Sequence, residues 1–142
     1  MEKINIVIAD DEQLFRSGIR FILEREPNFN ISFEAENGKN LLDFLRTTKE
    51  FPDIILMDLQ MPEMNGAQLG SLIKSNDTLA STHLMMLTSQ GQRGDGKKFK
   101  EAKFSAYLNK PVDQSILYNT LTQVASISSD EEPLLTVYSV TH

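Results

Sequence analysis

Residues 51–66, FPDIILMDLQMPEMNG, decide how this chain is read. Ile54, Ile55, Leu56 and Met57 form an unbroken apolar run that ends abruptly at Asp58. A short apolar run bounded by turn signals reads as a strand buried on both faces, as in parallel sheets. Pro62 has no ladder donor, so the strand stops before it. Asp58 therefore stands at the carboxyl end of a central strand, where open α/β sheets place their ligand crevices. A carboxylate there is costly unless a cation pairs with it.

The rest of the sequence supplies such groups. Asp10-Asp11 follows the apolar run 4–9, and Lys110 follows Ala106-Tyr107-Leu108-Asn109, so two more strand ends carry charge. Carboxylates converging on one edge repel one another, and an all-oxygen set of this kind suits magnesium. Taken alone, Asp10-Asp11 also reads as a plain cap for the helix that follows, with Asp11 the capping residue. Thr88 alone reads as a hydroxyl closing a strand, and Tyr107 alone as core.

Strands at 5–9, 29–34, 54–58, 84–87 and 106–108 alternate with helical patterns. Leu14, Phe15, Ile19, Ile22 and Leu23 mark the first helix, and Leu41, Leu42 and Leu45 the second. Leu69, Leu72 and Ile73 mark a third; residues 97–103 read as a polar fourth. Ile116, Leu117, Leu121 and Val124 mark the last, with Asp113 as its cap. This order predicts an α/β fold, a doubly wound five-stranded parallel sheet with helices on both faces. Phe29–Glu34 alternates apolar and polar residues, which suits an edge strand. After Ile127 the acidic stretch 128–133 reads as a linker, and 134–140 as a short apolar tail with no evident partner.

The pieces Asp10-Asp11, Asp58, Met61-Pro62 with Gly66, Thr88, Tyr107 and Lys110-Pro111 together resemble the receiver domain of two-component response regulators, CheY-like and flavodoxin-like in fold. The resemblance covers residues 1–127. The first half is most similar to free-standing regulators with a helix-turn-helix output domain, the second half to receivers within hybrid histidine kinases. The resemblance implies a phosphoacceptor module. A histidine kinase or phosphotransfer domain gives a phosphoryl group to Asp58, and the conformational switch controls an output domain or protein. It implies magnesium held by Asp11, Asp58 and the backbone carbonyl of Gln60, with Asp10 acting through water. Lys110 and the Thr88 hydroxyl meet phosphoryl oxygens, Tyr107 moves inward as Thr88 shifts, and Gln60 and Gln90 flank the hydrolytic water. A homodimer through the face made by residues 97–103, the last strand and the last helix is a further implied partnership.

Two other classes compete. A hydrolase working through an aspartyl phosphate carries a second Asp two residues after the nucleophile as general acid, and Gln60 stands there instead. A degenerate receiver acting only as a binding module would not need the intact acidic set. The chain is therefore expected not to be an enzyme beyond receiving and shedding its own phosphoryl group.

Composition narrows the remaining classes. The chain has 142 residues and no Cys, which excludes disulfides and thiol chemistry and fits the cytoplasm. A net charge of -6 argues against direct nucleic acid binding by this segment. No apolar run approaches the roughly 20 residues of a membrane span, and Met1-Glu2-Lys3 leads straight into a strand, leaving no room for a signal peptide. His83 and His142 are isolated in sequence.

Overall fold

The computed structural model describes residues 3–58, 69–70, 72–73, 79, 81–88, 105–110, 112–126 and 135–136. Its elements are β1 (Ile4–Ala9), α1 (Gln13–Glu24), β2 (Phe29–Ala35), α2 (Gly38–Thr47), β3 (Ile54–Asp58), β4 (His83–Thr88), β5 (Ala106–Asn109), α3 (Gln114–Ala125) and β6 (Leu135–Thr136). Residues 69–70 and 72–73 are helical. The expected helix at 97–103 lies outside the described residues.

All strands run parallel in the order β2-β1-β3-β4-β5-β6. The expected five-stranded sheet is present, and β2 is its edge. The sixth strand is a difference. Leu135–Thr136 pairs with Ala106-Tyr107, so the tail does have a partner. A parallel addition needs a crossover, and α3 supplies it.

The period of two along each strand divides the core between the two faces of the sheet. Val7, Ala9, Ile55, Met57, Leu84 and Met86 join Leu41 and Leu45 of α2, together with Leu69 and Ile73. Ile6, Ile8, Ile54, Leu56, Met85 and Leu87 join Ile19 and Leu23 of α1 and Leu117, Leu121 and Val124 of α3. Every residue of β3 is buried, as its continuous apolar run requires.

Two residues of the helical apolar patterns are not core. Leu14 is 87% exposed and Leu72 is 50% exposed. Leu14 lies on the side of α1 that also carries the exposed Phe21, while the adjacent Phe15 packs against the core. The cap of α1 also differs from expectation. Its N-cap residue is Glu12, with no side-chain cap bond, so Asp11 does not cap the helix. The Asp10 carboxylate serves the helix start instead, accepting from the Glu12 backbone N–H at 2.8 Å. Asp113 does cap α3, accepting from the Ile116 N–H at 3.1 Å.

Candidate functional site

β1, β3, β4 and β5 end side by side, because Ala9 is in register with Met57, Asp58 with Leu87, and Thr88 with Asn109. Residues just past these ends converge. Asp10 is fully buried and Asp58 almost so, while Asp11 and Glu12 face solvent. One oxygen from each of these four carboxylates lies within 4.8 Å of the others. Such crowding of anions is tolerable only with cations nearby.

Lys110 provides one. Its Nζ donates to Asp10 Oδ2 at 2.7 Å and lies 3.5 Å from both Glu12 Oε1 and Asp58 Oδ2. Its backbone N–H donates to the Thr88 carbonyl at 2.7 Å, which ties the loop after β5 to the end of β4. Burial works to lower the Lys110 pKa. The hydrogen bond it donates to Asp10 and the charges of Asp10, Asp58 and Glu12 outweigh that effect, so the Lys110 pKa is raised above its ordinary value. Lys110 is thus a fixed positive charge at neutral pH.

Two further side chains hold this corner, and sequence reasoning assigned neither a role there. The buried guanidinium of Arg16 donates to the backbone carbonyl of Asp10 at 2.5 Å and pairs with Glu34 at 3.5 Å. Phe15 turns its ring to Lys110, whose Nζ lies 4.2 Å from the ring centroid. Glu12 was likewise outside the expected metal set. Adjacency to Asp10-Asp11 was the available signal for Glu12. For Phe15 and Arg16 there was none, since helical spacing showed Phe15 only as an apolar-face residue.

Of the expected site residues, Asp10, Asp11, Asp58 and Lys110 come together. Thr88 is fully buried at the end of β4, beside Asn109 in register. Tyr107 is in β5, paired with Met86 on one side and Thr136 on the other. Gln60, Gln90 and Pro111 lie outside the described residues. His83, isolated in sequence, has its Nδ1 3.1 Å from Ser105 Oγ.

Beside the charged corner a groove of about 540 Å³ runs along α1. Leu14, Phe15, Gly18, Ile19 and Ile22 line it on one side and Val112 on the other, with Glu12 and Lys110 at its charged end.

Residues 6–122 match the model of the response regulator receiver domain. The chain belongs to that family. As a receiver domain of two-component response regulators it is a signalling module. It is 35% identical to the chemotaxis protein CheY of Halobacterium salinarum, over 84% of this chain and 94% of that one. It is 47% identical to the transcriptional regulatory protein DegU of Brevibacillus brevis over 46% of this chain, a match that takes in only 27% of DegU. Among solved structures, the signal receiver domain of the putative response regulator NarL from Mycobacterium tuberculosis superposes with a TM-score of 0.79. The two are 25% identical, with 88% of this chain and 98% of that one covered. The sheet of this receiver is the flavodoxin-like sheet of its relatives. Among the described residues no helix is long and apolar enough to cross a membrane.

Proposed function

We propose that this receiver accepts a phosphoryl group on Asp58 from a phosphohistidine of a histidine kinase or phosphotransfer domain, and that the modified state controls an output partner. The observation that carries this reading is the Lys110 ammonium, held between Asp10 and Asp58 where three strands end. A carboxylate oxygen of Asp58 forms the new O–P bond as the donor's P–N bond breaks, and the neutral imidazole departs. Such a transfer asks the protein mainly for alignment and charge neutralisation. Lys110 meets a phosphoryl oxygen, and the Thr88 hydroxyl meets another. Thr88 draws inward, and Tyr107 of the neighbouring strand follows it.

The carboxylate cluster fits a hard divalent cation by its donors, which are all oxygen and closely spaced. Asp11, Asp58 and the Gln60 carbonyl would hold magnesium directly, with Asp10 acting through water. When bound, the ion supplies charge neutralisation of the nucleophile and the phosphoryl oxygens. Asp10 keeps Lys110 in place meanwhile.

The donor has a seat next to this corner. The α1 groove is apolar along its length and charged at the Lys110 end. An amphipathic helix lying there would bring a side chain to Asp58. The receiver spans residues 1–127, with 128–142 as acidic linker and tail. It works in the cytoplasm without itself touching nucleic acid or membrane. Its output partner, or a second copy of the chain, would meet the surface of α3, since the outer edge of β5 is taken by β6.

Incubation of the full chain with magnesium and acetyl phosphate tests the centre of this reading. Mass spectrometry is expected to show one added phosphoryl group in the native chain and none in Asp58→Asn. Equal labelling of the two would overturn the assignment of the nucleophile.

A further inference from the structure

The Lys110 ammonium has three N–H donors and faces three carboxylates, Asp10 at 2.7 Å and Glu12 and Asp58 at 3.5 Å. An incoming phosphoryl group must take one of these contacts for itself. A hydrogen-bonded cation whose partners change is free to swing with whichever partner remains. Long lysine stems make such swinging easy, since the charge sits on a flexible four-carbon chain. One contact of the ammonium involves no carboxylate, the ring of Phe15, 4.2 Å from Nζ to its centroid.

That ring is well placed to act as a fixed support. Phe15 is half-buried and packs against the core cluster shared by β1, α1 and α3, so its own position is set by the fold. The attraction between an ammonium and a ring face comes from the ring quadrupole and uses no donated proton. It therefore competes with no carboxylate or phosphoryl oxygen for an acceptor position. It is also strongest where water is scarce, and the Lys110 side chain is only 12% exposed.

We propose that Phe15 is a positioning residue for phosphoryl recognition: its ring face holds the Lys110 ammonium at the mouth of the acidic cluster while that ammonium exchanges a carboxylate for a phosphoryl oxygen. The proposal rests on the reading of Lys110 as the phosphoryl contact. It assigns to an apolar residue of α1 a part in holding the ammonium where a phosphoryl oxygen would meet it. Leucine at this position would keep the packing but lose the quadrupole. Tyrosine would keep both.

The test uses the full chain, with beryllofluoride as the phosphoryl mimic and calorimetry as the readout. Affinity for magnesium alone is measured on the same proteins. Phe15→Leu is expected to weaken beryllofluoride binding about three- to tenfold, with magnesium affinity unchanged and with Phe15→Tyr close to the native chain. If Phe15→Leu does not fold, Phe15→Met reads the same loss. Native beryllofluoride affinity in Phe15→Leu would overturn the proposal. So would an equal loss of magnesium affinity, which would mean that the whole corner had loosened, or a failure of Phe15→Tyr to restore binding. A native chain that binds magnesium but no beryllofluoride would instead overturn the reading of the site itself.

Discussion

Helices α1 and α2 pack against opposite faces of one sheet and are built to different standards. In α2 the Asn37 side chain accepts from the Asn40 N–H at 2.7 Å, and Arg46 stands in the last turn, where a cation complements the helix dipole. Phe44 stacks on Phe33 of β2, with ring centroids 4.2 Å apart and planes within 6° of parallel. In α1 the N-cap makes no side-chain bond, a glycine occupies the middle, and Leu14 and Phe21 are 87% and 65% exposed. Leu14, Gly18 and Phe21 fall at i, i+4 and i+7, on one side of the helix. The helix remote from the charged corner is finished for stability, while the one beside it gives stability up and leaves apolar surface open. Leu14 of this surface lines the groove in which the proposed donor helix would lie.

The largest expected effect lies at the corner itself. Lys110→Met would leave Asp10 and Asp58 buried without their cation and should cost about 3 kcal/mol when no divalent ion is present. Urea unfolding in chelator would measure it, and a variant as stable as the native chain would show that the corner does not depend on Lys110. The pH dependence has a definite sign. The folded-state pKa of Lys110 is raised, so its contribution is complete below the unfolded value of about 10.4 and fades as pH rises through the folded value. The gap between the two proteins should be flat from about pH 7 to about pH 9 and shrink above about pH 10.4.

Smaller losses are expected on the α2 side. Phe44→Ala removes a stacked but only partly buried ring and should cost about 2 kcal/mol, below the range for fully buried aromatics. Asn37→Ala should cost about 1 kcal/mol through loss of the cap. The same denaturation curves would check both. If both were neutral, α2 would be no better finished than α1, and the contrast between the two helices would fail.

What could be read from the sequence follows the same division. The strands were legible because β1, β3 and β4 are apolar on both faces, a pattern only a doubly covered sheet satisfies. Asp10, Asp11, Asp58 and Lys110 were legible because each directly follows such a run. Leu14 and Leu72 belong to helical apolar patterns yet stay exposed, since helical spacing identifies an apolar face but not where the covering surface ends. Asp11 was expected as a cap, and the bond comes from Asp10, because which of two adjacent carboxylates turns toward the helix depends on where Lys110 stands. Phe15 and Arg16 were illegible as site residues, since Lys110, just after β5, and Glu34 in β2 are far away in the chain, and the bond from Arg16 to the Asp10 carbonyl leaves no mark in side-chain pattern. The pairing of the tail with β5 was hidden for a similar reason, because strand propensity does not name an edge.

The smallest expected effect tests the contrast most directly. A glycine inside a helix costs about 1 kcal/mol relative to alanine, through backbone entropy. A fold keeps such a residue when a neighbour leaves no room for a Cβ. Among the described residues an added Cβ at Gly18 would meet nothing within 4 Å, so no packing there accounts for the glycine. Gly18 does line the α1 groove, where a methyl group would hold a docked helix away. Gly18→Ala should therefore stabilise the chain by about 0.5 to 1 kcal/mol. Labelling by acetyl phosphate, which needs only Asp58 and its neighbours, should proceed at the native rate, while transfer from a phosphorylated histidine kinase should slow. Stabilisation with both rates unchanged would leave the groove without a function in transfer, and equal slowing of both would mean that the methyl group disturbs the corner rather than the docking.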